Sequence, residues 1–294
     1  MRRVILCLAA LCLADVAAAA DLDESYIRGS DSYQPQVPTN TRWEGFYAGG
    51  QVGYSSAGVD FGTGLKPLID FALRNLRVNQ DINVSSLTVL GKRDTNGSGF
   101  GGFVGYNMQF GEAILGVELN YSRMRIGTTA SDSLRRVFPD TAVSANYVYD
   151  ISVAGQSSIR ITDLATVRGR GGWSIGSFMP YAFVGMALGL ADTSSSAQVA
   201  FCGYDPTANP PSQDPPNSAN PCYTPARTNL VRQPPATESK TGQLMVGGAA
   251  GLGVEVQVAR NVFARGEWEY VQFVPIQSTR VYLNSFRTAI GVLF

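Results

Sequence analysis

The feature that most constrains this chain is an alternation of period two that recurs in segments of about ten residues. Successive side chains of a strand point to opposite faces of its sheet. In the last segment Phe286, Thr288, Ile290, Val292 and Phe294 share one face, while Ser285, Arg287, Ala289, Gly291 and Leu293 share the other. The same split recurs over 45–54, 99–110, 113–123, 243–257 and 262–271. It is weaker over 164–173, where Thr166, Arg168 and Arg170 share a face, and over 180–190, where Val184, Met186 and Leu188 are assigned outward. No apolar run reaches the ~18 residues of a spanning helix. Yet charged residues make up only 16% of the chain, against roughly a quarter in soluble domains. A chain that meets lipid with every second residue satisfies both conditions.

Eight such segments have the ~9–11 residues that a tilted strand needs to cross a bilayer. A sheet in hydrocarbon must close on itself, because no water is there to satisfy an edge. The connections alternate in length. Those near 111–112, 174–179 and 259–261 are short, and 56–98, 124–157 and 191–240 are long. Short turns at one end and long loops at the other predict an all-β fold: a transmembrane antiparallel up-and-down β-barrel of eight strands, with long extracellular loops and short periplasmic turns. Ten strands is the architectural alternative, since the long segments carry alternation of their own, as at Ile151, Val153, Ile159 and Ile161. A soluble lipocalin-like barrel is the other, and it would require an apolar interior.

Residues 1–20 read as a cleavable signal peptide. Arg2 and Arg3 precede the apolar stretch Val4–Leu13, and Ala18-Ala19-Ala20 precedes Asp21, which sets the expected cleavage between Ala20 and Asp21. Residues 21–42 are expected to form a periplasmic arm, and 43–294 the barrel. Within it, 191–240 is expected to be a long Pro-rich extracellular loop, because Pro lacks a ladder donor. Export leaves Cys202 and Cys222, for which an oxidising compartment suggests a disulfide, with a free thiol pair as the alternative. Such a bridge would restrain the loop more than the barrel.

Without Arg2, Arg3 and Asp15 the balance is 21 basic against 22 acidic residues. That is no footprint for nucleic acid. The chain has no His, which excludes His-activated nucleophiles and His-ligated metals. No enzyme activity, metal or cofactor is expected. The strand register sends Glu118, Arg168, Arg170, Glu255, Arg265, Glu267, Glu269 and Arg287 inward, four acids and four bases. An eight-stranded barrel is just wide enough for side chains to fill it. A plug of paired charges is therefore favoured over an ion path, and Glu267 and Glu269 are read as partners of arginines rather than as an acid–base pair.

The opening strand Trp43-Glu44-Gly45-Phe46-Tyr47-Ala48-Gly49-Gly50, with Gly53-Tyr54, resembles the small bacterial outer-membrane β-barrel proteins. These are the opacity-like and porin-family surface proteins related in fold to the OmpA membrane domain. The stretches Gly102-Phe103-Val104-Gly105-Tyr106, Gly116-Val117-Glu118-Leu119, Thr166-Val167-Arg168-Gly169-Arg170 and Pro180-Tyr181 carry the same resemblance, as does the final strand. It implies location in the cell outer membrane, with outer-membrane lipid or lipopolysaccharide and the barrel-assembly machinery as partners. It also implies that Phe294 is the barrel-assembly signal. The expected role is structural, in envelope integrity and surface display. A narrow porin for small solutes and a loop-mediated adhesin or receptor are the alternatives.

Overall fold

A computed structural model of the protein describes residues 42–294 except 63, 88, 141–142, 209–212, 216–220 and 276–278. The expected signal peptide, its Ala20–Asp21 junction and the arm up to residue 41 lie outside these. Eight long strands follow one another: β1 (Gly45–Asp60), β2 (Lys92–Phe110), β3 (Ala113–Pro139), β4 (Val148–Trp173), β5 (Phe178–Tyr204), β6 (Ala236–Ala259), β7 (Val262–Phe273) and β8 (Arg280–Leu293). Each pairs antiparallel with the next, β8 returns to β1, and the ring is closed. At the short-turn end, Gly111 and Gly176 take φ of +64° and +61°, a left-handed geometry that a side chain would disfavour.

The strands are much longer than a bilayer requires. β3 and β5 have 27 residues each and β4 has 26. Segments expected as loops are therefore largely strand. Residues 124–139 and 148–157 continue β3 and β4. Residues 191–204 and 236–240 belong to β5 and β6, so the expected loop 191–240 contracts to 205–235. The prolines from Pro206 to Pro235 all fall inside this shorter span. Among its described residues only two-residue ladders form.

The ring does not end level. The β2–β3 ladder stops at Gly99↔Met124 and the β6–β7 ladder at Gly247↔Phe273. Above these points the sheet continues as two separate groups: β8, β1 and β2 stay paired up to Arg280, Asp60 and Lys92, and β3, β4, β5 and β6 rise as a four-stranded wall. Bulges interrupt the wall between Arg123 and Ile126, between Ile161 and Asp163, and between Lys240 and Gln243. These positions lie beside one another across the wall, because Arg123 pairs with Asp163, and Ala191 pairs with both Ile161 and Gln243. On β4 the outward set changes there from odd positions (Val167, Gly169) to even ones (Ala154, Gln156, Arg160). An extra residue in one strand shifts its side-chain phase by one.

At the same level the polarity of the sheet inverts. Along β3 the outward residues run Leu115, Val117, Leu119, Tyr121, then Arg123, Arg125, Gly127, Thr129; the inward ones run Glu118, Asn120, Ser122, then Met124, Ile126, Ala130. Below, apolar side chains face outward around polar ones. Above, the wall is polar outside and apolar within. That upper interior is filled by the β1–β2 connection, which carries α1 (Lys66–Leu73) and α2 (Arg77–Ile82). Pro67 in the first turn favours the start of α1, and Lys66 pairs with Asp70 across one turn at 2.9 Å. Asn83, with φ of +50°, ends α2. Leu68, Ile69 and Leu73 of α1, together with Val78 and Val84, join a core with Ile151, Val153, Val199 and Phe201. Each such burial is worth about 1.5–3 kcal/mol.

Candidate functional site in the barrel interior

All eight expected interior charges are buried, and the structure brings them into one cluster. They arrive from β3 (Glu118), β4 (Arg168, Arg170), β6 (Glu255), β7 (Arg265, Glu267, Glu269) and β8 (Arg287), all on inward positions. The alternation is sharp: Val117 is 63% exposed and Glu118 2%.

Glu118 is the hub. It meets Arg168 at 2.5 Å, Arg265 at 2.9 Å and Arg170 at 3.2 Å. Arg168 bridges onward to Glu267 at 2.7 Å, and Arg265 and Arg170 both reach Glu255, at 2.6 and 2.8 Å. Arg287 ties Glu267 at 3.0 Å to Glu269 at 2.5 Å. Glu269 also lies 3.6 Å from Arg168, and its contacts are ion pairs rather than well-angled hydrogen bonds. Every acid thus touches at least two cations, and every cation at least two acids. A buried ion is tolerable when its remaining donors and acceptors are also met.

The sequence reading missed the aromatic part of this cluster. Arg168 lies over the Phe183 ring at 4.1 Å, Arg170 over Tyr181 at 4.1 Å and Arg265 over Phe103 at 4.0 Å. Guanidinium over a ring face is favourable, more so when both are desolvated. The Tyr47 hydroxyl donates to Glu118 at 2.8 Å and that of Tyr181 to Glu267 at 2.6 Å. The alternation had already put Tyr47 and Phe103 on the inward face. Tyr181 and Phe183 sit in a segment apolar on both faces, which gave no such signal. The rings fit because glycines face them: a Cβ on Gly49 would come within 2.4 Å of the Phe103 ring, and one on Gly291 within 2.3 Å of Phe263.

Toward the long-loop end a neutral polar layer follows. The Gln51 amide donates to Asn120 at 2.8 Å and to Ser122 at 2.7 Å, and the Ser55 and Ser285 hydroxyls share a bond of 2.7 Å. The apolar core begins directly above, at Leu283, Val271 and Leu164. At the opposite end Trp43 is buried against Phe263, and the Asn107 amide donates to its carbonyl at 3.2 Å. The barrel interior is thus filled in consecutive layers: aromatic, charged, amide and hydroxyl, then apolar.

The remaining expected positions lie at the two ends. Cys202 and Cys222 form a disulfide with Cα atoms 5.8 Å apart, which ties the 205–235 loop to the top of β5. The rings of Tyr204 and Tyr223 stack beside it at 4.0 Å. Phe294 donates its backbone N–H to the Phe46 carbonyl, and its ring is exposed at the short-turn end. Among the described residues no group of His, Cys, Asp or Glu is arranged to hold a metal ion.

Among solved structures, the chain is similar to the attachment invasion locus protein Ail of Yersinia pestis. Identity is 11%, over 85% of this chain and 99% of that one, with a TM-score of 0.32. Neisserial surface protein A is 12% identical over 85% and 97% of the two chains, with a TM-score of 0.31. The translocator domain of the autotransporter NalP from Neisseria meningitidis is 10% identical over 85% and 89%, with a TM-score of 0.25. No curated protein matches the sequence. A family profile described as outer membrane protein beta-barrel domain matches residues 4–294. The chain therefore belongs to the outer-membrane-protein β-barrel family, and its place is the outer membrane.

Proposed function

We propose that this protein is a structural and display element of the outer membrane whose barrel is sealed to solutes. The observation that carries the reading is the filling of the lumen. Eight interlocked charges occupy one level, and an apolar core with α1 occupies the next. Water and ions would have to break both. A cluster of four acids and four bases carries no excess charge to favour ions of one sign, and reading it as a plug assigns Glu267 and Glu269 to arginine pairing rather than to chemistry. The wall formed by β3–β6, with the disulfide-tied 205–235 loop at its top, is the part exposed to the surroundings, which favours loop-mediated binding as the second reading. Phe294, exposed at the end of β8, is the proposed element recognised during barrel assembly.

The test is conductance of the purified protein in a planar bilayer. The sealed reading expects no unitary conductance above the bare membrane, and swelling of loaded proteoliposomes no faster than empty ones. Discrete openings that persist after heat-modifiable mobility has verified folding would overturn it in favour of a narrow porin.

A further inference from the structure

One outward surface at the level of the polarity inversion is built unlike the rest of the apolar band. Two rows of side chains cross β8, β1, β2 and β3 side by side. One begins Thr288–Val52–Phe100–Arg123, following the pairs Val52↔Thr288, Val52↔Phe100 and Phe100↔Arg123. The other begins Phe286–Tyr54–Ser98 and ends beside Arg125. Between them lies a trough of about 580 Å³. Its β8–β1 end is walled by Phe286, Tyr54 and Val52, and its β3 end by two guanidiniums. Arg123 and Arg125 come directly after Tyr121, the last of the lipid-facing residues on β3. Both side chains are exposed, and Arg123 lies in the field of the Asp163 carboxylate without closing a short salt bridge to it. Asp163 stands opposite Arg123, and its carboxylate already accepts the Tyr121 hydroxyl at 2.5 Å.

We propose that this trough is a binding site for a phosphorylated acyl lipid of the outer leaflet, with the phosphate on Arg123 and Arg125 and an acyl chain between the two rows. The charge order fixes the occupant. An apolar end sunk in the hydrocarbon band calls for a chain, and a dicationic end at its rim calls for an anion attached to that chain. Arginine suits phosphate because its fork presents paired donors, and basic pockets at the membrane boundary recognise anionic headgroups in this way. The site lies on the outer face of the barrel, so it is independent of whether the lumen conducts.

The experiment is native mass spectrometry of the refolded full chain in neutral detergent doped with one of three probes. Phosphatidic acid carries both features, diacylglycerol only the chains, and inorganic phosphate only the anion. Phosphatidic acid should be retained as a discrete adduct, and the pair Arg123→Gln/Arg125→Gln should lower its retention about thirtyfold, from two lost guanidinium contacts. The pair Val52→Trp/Thr288→Trp, which fills the trough and keeps both cations, should also lower it. Arg136→Gln, exposed and basic but much higher on β3, should leave it unchanged. Heat-modifiable mobility verifies that each variant is folded. Equal retention of phosphatidic acid by the arginine pair and the parent overturns the site. Retention of diacylglycerol equal to that of phosphatidic acid also overturns it, as does retention of inorganic phosphate at that level, because the first shows a greasy surface and the second a simple anion patch.

Discussion

The lower barrel and the upper wall are made from the same strands yet solve opposite problems. In the lower part the solvent is hydrocarbon, so Val117 and Leu119 face out while Glu118 and Asn120 pair inside. In the upper part the solvent is water, so Thr129 and Ser131 face out while Ile126 and Ala130 pack inside against the helical β1–β2 connection. The lower interior is held by directional contacts that fail if one member is lost. The upper interior is held by close packing, which loses stability in proportion to the volume removed. Both follow from one rule, that a strand turns toward its solvent the face that solvent tolerates.

The sharpest way to break this contrast is in the lower interior. Arg168→Ala leaves Glu118 and Glu267 each short of a cation in a buried site. Removing one partner of a buried pair costs about 3–5 kcal/mol, so the unfolding temperature in detergent, read by heat-modifiable mobility, should fall clearly. An unchanged temperature would mean that the network does not hold the barrel. In the upper part Leu73→Ala should cost about 2–5 kcal/mol, but locally. Amides of α1 and of the adjoining parts of β5 and β6 should exchange faster while those of 113–121 stay protected. Uniform acceleration would show that the two regions unfold as one.

The outward faces give the next effect. Val117→Arg places a cation in hydrocarbon at about 2–4 kcal/mol, whereas Thr129→Arg, on the same face of the same strand, should stay within about 0.5 kcal/mol as a surface change. Equal costs in a lipid-vesicle folding titration would put the boundary elsewhere than between Tyr121 and Arg123. The smallest effect concerns acid. The Ser85 hydroxyl holds the Asp70 carboxyl below its ordinary value; burial opposes it, and hydrogen bonds from Lys66 and Asn79 add to the lowering. A carboxyl depressed in the folded state contributes stability above its unfolded pKa of about 4, and that stability is lost as pH falls through the folded value. Exchange of α1 amides should therefore speed up below about pH 4, and Asp70→Asn should abolish the step.

Much of the lower barrel was legible because each of its strands reports on two solvents at once. Glu118, Arg168, Glu255 and Arg287 each sit between residues that only lipid or small packing would accept, so their direction follows from phase alone. The upper wall was harder to read. Ile151, Val153, Ile159 and Ile161 are inward residues of β4, but they run on odd positions while Thr166, Arg168 and Arg170 run on even ones, and the bulge at Thr162 reconciles the two. Without the bulge, the two runs look like separate strands on either side of a loop. Tyr181 and Phe183 were hidden for another reason: the outward neighbours Val184 and Met186 are equally apolar, so nothing in the local pattern tells ring from lipid contact.

Local alternation and the sorting of connection lengths set the closed sheet and its inward charges. Periodicity is a property of neighbours in the chain, and the sheet's pleat converts it directly into sides. Which acid meets which arginine, how tall the wall stands and what fills it depend on residues far apart in sequence, such as Glu118 and Arg265 or Leu73 and Phe201. Closure of the ring and packing of the β1–β2 connection bring these together, and no local pattern encodes such distances.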